Sequence, residues 1–150
     1  MQTGLEKMML ELLQSDEKMS DDLKEQLKTD YQAVKQYLQR NIYGEIKGVE
    51  KDLTDHSERH IINVQENAAC LIGQDGVSRY SGVELYFLSL TILLHDVGNI
   101  NGREDHNKKV TDIYNKIRNG ESHYNHERSL ILKAVRAHCG KSSKGDKDRA

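Results

Sequence analysis

The chain has 150 residues, a length that favours one domain with room for a real hydrophobic core. Charged residues make up 31 %, with both signs mixed, and the net charge of −2 leaves no broad basic footprint for a nucleic-acid backbone. No stretch approaches the roughly 18 apolar residues of a membrane span, the N-terminus lacks a charged-then-apolar signal pattern, and there is no proline to interrupt a long helix. These features point to a soluble, cytoplasmic protein with no membrane partner.

Leu5, Met8, Met9, Leu12 and Leu13 recur at helical spacing, which predicts a first helix over Leu5 to Leu13. Ser15 to Ser20 is polar and acidic and reads as a break. Ser20 is placed to cap a second helix, with Asp21 and Asp22 favourable in its first turn. Leu23, Leu27, Val34, Leu38 and Ile42 carry that helix forward in a mostly four-residue rhythm, and Gly44 and Gly48 suggest its end. Residues 1–50 are thus an N-terminal segment of supporting helices, through which the chain is expected to form a homo-oligomer if it forms one.

From Asp52 the texture changes, and six of the seven histidines fall between His60 and His138. A third helix is expected from about Ser57 to Gly73, with Ile61, Val64, Ala68 and Leu71 on its apolar face. Gly73 to Tyr80 holds two glycines and reads as a loop. Ser81 and Glu84 form an S-x-x-E capping box. The helix they open is the most apolar of the chain, through Val83, Leu85, Phe87, Leu88, Leu90, Ile92, Leu93 and Leu94, and is expected to be central. It ends in His95-Asp96-Val97-Gly98, with Gly98 placed to stop it. Asn99 to Asp105 reads as polar loop. A fifth helix carries Val110, Ile113, Tyr114 and Ile117 and ends at Asn119-Gly120. A sixth begins near Asn125 and carries Leu130, Ile131, Ala134 and Val135. Gly140 to Ala150 is Lys, Ser, Gly and Asp, a composition expected to stay solvated. Cys70 and Cys139 form no C-x-x-C pair, so a cysteine-rich zinc site is disfavoured and two reduced thiols are expected.

The chemistry rests on where the histidines fall. His60 precedes Val64 by four, His95 follows Ile92 by three, His106 precedes Val110 by four, and His138 follows Val135 by three. Four helices therefore each turn a histidine toward a common interior. A single histidine on an apolar face is more often a satisfied core residue than a ligand. Four of them, with Asp96 beside one in the most apolar helix, point to metal, because buried charges are normally paired or metal-bound. Imidazole nitrogens with a carboxylate suit zinc, iron, manganese or nickel.

The order His60, His95-Asp96, His106, His138, with T-D-H-x-x-x-H over Thr54 to His60 and H-D-V-G over His95 to Gly98, resembles the HD superfamily of metal-dependent phosphohydrolases. The resemblance covers about Asp52 to Gly140. It implies an all-α, HD-domain-like helical bundle over residues 51–150, with His60, His95 and Asp96 binding a first metal. His106 and His138 stand where two-metal members place further histidines. Many such members have two adjacent histidines at the latter place, where this chain has His138-Cys139. The cofactor implied is one or two divalent ions: zinc, manganese, iron, nickel or magnesium. The activity implied is hydrolysis of a phosphate ester or anhydride on a small phosphorylated molecule, most often a nucleotide, by metal-activated water, with Asp96 as the catalytic residue bridging the ions.

Arg103 and Lys109 flank His106 and are candidates to meet substrate phosphate, though they equally fit solvated surface charge. His56 is a candidate to buttress the site through a hydrogen bond, whereas His123 and His126 read as surface or helix-start residues. The family's distal aspartate has no counterpart on an apolar-faced helix, since Asp146 and Asp148 lie in the polar tail. The expectation is a chain truncated at its C-terminus, or one that has lost full hydrolase chemistry. Two other readings stay open: a non-enzymatic helical sensor or interaction domain with a degenerate metal site, and a metal-dependent nuclease. The acidic balance and the lack of a basic, aromatic groove weigh against nucleic acid.

Overall fold

A computed structural model describes residues 2–43, 58–77, 79–95, 97 and 106–139. They form an all-α bundle of six helices with no strand among the described residues: α1 (Gly4–Ser15), α2 (Asp21–Asn41), α3 (Glu58–Val77), α4 (Gly82–Leu94), α5 (His106–Arg118) and α6 (Asn125–Cys139), with a 3₁₀ turn at Ser122–Tyr124 before α6.

Local chemistry sets most helix ends. The Ser81 hydroxyl accepts from the Glu84 amide at 3.0 Å and the Glu84 carboxylate accepts from the Ser81 amide at 2.8 Å, closing the box that the sequence predicts. A second box, Thr3 with Glu6, opens α1 at Gly4, one residue earlier than the apolar spacing suggests. Ser20 caps α2 by accepting from the Leu23 amide at 3.1 Å. Asn119 and Gly120 end α5 with positive φ of 56° and 66°, the left-handed exit that such residues tolerate best.

The stretch after Gly73 corrects the expected loop. Gly73 itself leaves the helix with φ 63° and ψ −178°, and residues 74–77 then resume helical backbone, so α3 is kinked rather than ended. The apolar face of α3 also differs from expectation. Ile61, Gln65 and Ala69 are buried, while Leu71 is 88 % exposed. At about 100° per residue, Leu71 stands roughly a quarter turn or more away from that buried row. Leu23, Leu88, Leu130 and Ala134 are likewise exposed, each at the edge of an apolar face whose centre lies elsewhere.

α4 occupies the centre and packs against α1, α2, α3 and α6. Leu85, Tyr86, Ser89, Leu90, Ile92, Leu93 and Leu94 on it are all buried, as a helix apolar nearly all round requires. α1 lies tightest against it. An added Cβ on Gly82 would come within 2.8 Å of the Leu13 backbone nitrogen, so only glycine permits this approach. α1 also packs against α3, where the Thr3 hydroxyl donates to Gln65 at 2.8 Å and the Gly4 amide to Glu66 at 3.0 Å.

Two polar clusters sit inside the bundle. In the first, the buried Glu6 carboxylate accepts from Lys35 at 2.9 Å, from the Thr3 amide at 2.9 Å and from the Tyr31 hydroxyl, and Gln65 donates to Tyr31 at 3.1 Å. Burial first, and the neighbouring Glu6 carboxylate second, push the Tyr31 phenol well above its ordinary range. In the second, Arg118, 4 % exposed, donates to Glu127 at 3.0 and 3.3 Å and to the Asp30 carbonyl at 3.0 Å. Tyr86 and Tyr114 donate to the same Glu127 carboxylate, and Tyr124 donates to Asp30 at 2.7 Å. The guanidinium also lies 4.6 Å from the Tyr124 ring centroid. Such charges are tolerable inside a bundle because every one is paired.

Candidate metal centre

Of the metal-ligand candidates that the sequence singles out, His60 and His95 are described with their side chains. His60 is half-buried in the first turn of α3, and His95 is buried at the C-cap of α4. Their ring centroids lie 5.7 Å apart, with the planes inclined at 43°. The two helices thus bring together residues 35 positions apart at one end of the bundle.

The end of α4 also fixes the His95 ring. Its Nδ1 lies 2.6 Å from the Ile92 carbonyl oxygen. A carbonyl only accepts, so Nδ1 carries a proton, which in the neutral ring leaves the lone pair on Nε2. This is the arrangement in which a ligating histidine is held, one ring nitrogen anchored to backbone and the other presented. One carbonyl further, Leu93 accepts from the Tyr43 hydroxyl at 2.9 Å, a buried bond from the end of the N-terminal segment.

Two imidazoles on one tetrahedral ion, with metal–nitrogen bonds of about 2.0–2.1 Å, would place their ring centroids roughly 5 Å apart. The His60–His95 spacing of 5.7 Å is close to that value, and by donor type and ring spacing the pair is compatible with a divalent ion. Among the described residues, no group of three or more His, Cys, Asp or Glu is gathered closely enough to hold a metal.

Asp96, Arg103 and His56 lie outside the described residues. His106 opens α5 and His138 lies in the last turn of α6, and their side chains lie outside what is described. Lys109 is half-buried on α5. His123 and His126 are exposed near the start of α6, and His123 lies 3.8 Å from Glu121. Cys70 is exposed and unbridged. No helix among the described residues is long and apolar enough to cross a membrane.

Sequence reasoning passed over Tyr43 and both interior polar clusters. A small cavity of about 30 Å³ lies between α1, α2, α3 and α4, and Tyr43, Ile61, Gln65 and Leu93 are among its walls. It has room for a water or two.

Comparison with curated proteins and with solved structures returned no match. The family model HD-CE matches residues 50–149, two thirds of the sequence, which take in both histidines of the pair and the H-D dipeptide. With an HD-like domain over that stretch, the chain belongs to the HD-CE family.

Proposed function

We propose that the chain is a metal-dependent phosphohydrolase that acts on a small phosphorylated molecule, a nucleotide above all. The observation that carries this reading is the His60–His95 pair, with the His95 tautomer fixed by the Ile92 carbonyl. The HD-CE match supports the same reading at the level of the domain. His60, His95 and Asp96 would hold a first divalent ion, and His106 and His138 would hold a second or line the same pocket. A bound ion supplies a water whose pKa is lowered to around 7 and offsets negative charge on phosphoryl oxygens.

The chain's own part is to place donors and exclude water. The Ile92 carbonyl would hold the His95 Nδ1 proton and so steady the ring. His60 is presented from the first turn of α3, whose buried Ile61 fastens that turn to the core. Asp96 follows His95 directly and would contribute a carboxylate oxygen. Lys109 and Arg103, on either side of His106, would meet substrate phosphate with charge-assisted hydrogen bonds.

The test is elemental analysis of the purified protein beside its His60→Ala, His95→Ala and Asp96→Ala variants, with His123→Ala as the exposed-histidine control. Turnover of nucleotides and nitrophenyl phosphate is followed with manganese added. Metal retained by the wild type and by His123→Ala, but lost by the other three together with turnover, is the expected result. Unchanged metal content in His95→Ala and Asp96→Ala would reject the assignment.

A further inference from the structure

We propose that Tyr43 is a positioning residue for the histidine pair, so that a residue preceding the HD-CE match sets the geometry of the site within it. The inference rests on the metal-centre reading above for its functional consequence, and on geometry alone for the positioning itself.

The last four carbonyls of a helix lack intrahelical partners and must find others when buried. At the end of α4 two of them have side-chain donors. Ile92 accepts from His95 Nδ1 at 2.6 Å, and Leu93 accepts from the Tyr43 hydroxyl at 2.9 Å. These carbonyls belong to consecutive peptide units, so the Tyr43 bond fixes the orientation of the turn against which the His95 ring is braced. Tyr43 is 4 % exposed and Leu93 2 % exposed, so water does not readily replace the phenol. The Tyr43 side chain also shares the small cavity with Ile61, the residue after His60. One phenol therefore borders both histidine-bearing segments.

Removing the hydroxyl leaves a buried carbonyl acceptor without its donor and frees the last turn of α4 to reorient. The His95 Nδ1–H···O bond should then open more often, with Nε2 held less steadily. Loss of an outer hydrogen-bond partner typically weakens metal affinity by about 10- to 100-fold. Because Tyr43 acts one bond further out than such partners, the expected loss is at the lower end, about tenfold.

The experiment compares wild type, Tyr43→Phe and Val34→Ala as full chains. Val34 is fully buried in α2 and serves as a destabilised control away from the site. In the metal-free, nitrogen-15-labelled proteins, the exchange rate of the His95 Nδ1 proton with water is measured by NMR. In parallel, zinc and manganese affinities are measured by calorimetry. We expect Tyr43→Phe to accelerate exchange about tenfold and to weaken metal binding by a similar factor, with Val34→Ala moving neither beyond twofold even where its Tm falls further. Unchanged exchange in Tyr43→Phe, or equal acceleration in Val34→Ala, overturns the proposal. Should the wild type bind no metal while Tyr43→Phe still exchanges faster, the positioning stands and the phosphohydrolase reading fails. Should the wild type bind metal while Tyr43→Phe changes nothing, that reading stands and this one fails.

Discussion

Glu127→Ala should be among the most damaging single changes outside the metal centre. The Glu127 carboxylate takes four donors: Arg118 Nη2 at 3.0 Å, Arg118 Nε at 3.3 Å, Tyr86 at 2.6 Å and Tyr114. The Arg118 side chain is 3 % exposed and that of Glu127 11 %, so the pair is largely shielded from water. Truncation leaves a buried guanidinium with the Asp30 carbonyl at 3.0 Å, its carboxylate at 3.8 Å and the faces of Tyr114 and Tyr124, and two hydroxyls without their acceptor. Removing one partner of a buried ion pair costs about 3–5 kcal/mol. The two hydroxyl losses overlap with that figure rather than adding to it, because all the donors share one carboxylate. For a chain of this size the loss corresponds to a fall in Tm of roughly 6–20 °C.

Thermal and urea melts give the number, and a double-mutant cycle with Arg118→Met gives its origin. If the penalty comes from an orphaned charge, Arg118→Met combined with Glu127→Ala should lose less than the sum of the two single losses, since removing both charges leaves neither one buried and unpaired. A loss below about 1 kcal/mol in Glu127→Ala, the value of an exposed pair, would refute the reasoning. So would strict additivity in the cycle.

Gly82→Ala should cost about 1–3 kcal/mol, as overpacking does, because its Cβ would lie 2.8 Å from the Leu13 nitrogen and 3.0 Å from the Leu13 Cα; a denaturation midpoint equal to wild type would show that α1 can yield. Stability should also fall at alkaline pH. Burial, then the hydrogen bond to Asp30, push the Tyr124 phenol up to about 12, and burial raises Tyr31, Tyr86 and Tyr114 further. Between the ordinary tyrosine value of about 10 and these folded values the native state holds more protons than the unfolded chain. The stabilisation is therefore complete below about pH 10 and lost as pH rises through the folded values; a Tm that stays flat from about pH 10 to 12 would contradict this.

Helix existence was legible because it depends on spacing. α4 could be recognised as central from composition alone, and Ser81-Glu84 marked its start to the residue. The interior polar clusters were not legible, because a hydropathy pattern assigns charged residues to the solvent side. Their trace is nonetheless present as gaps. The apolar rhythm of α2 skips from Leu27 to Val34, and Asp30 and Tyr31 occupy the missing slot. Gln65 stands four after Ile61, and Arg118 four after Tyr114, each filling a core position with a polar group that finds its partner on another helix. Leu71 shows the converse: helical spacing admits it to a face, but only packing decides where the face is centred. Of the candidate site, the nearness of His60 and His95 could be read from their spacing to apolar neighbours. Tyr43 could not, because its partner is a backbone carbonyl 50 residues later, which no side-chain pattern encodes.

The close seat of α1 on α4 has a bearing on how the chain is made. Leu5, Met9 and Leu13 form the buried face of α1, yet the glycine that admits Leu13 follows it by about 70 residues, a long closure whose entropy must be met before that contact returns it. At roughly 5–20 residues per second, that face waits on the order of ten seconds for its partner. Throughout that interval α1 lacks its main partner, and the nascent chain is open to chaperones, or to the same helix of a neighbouring copy, until its own central helix is complete.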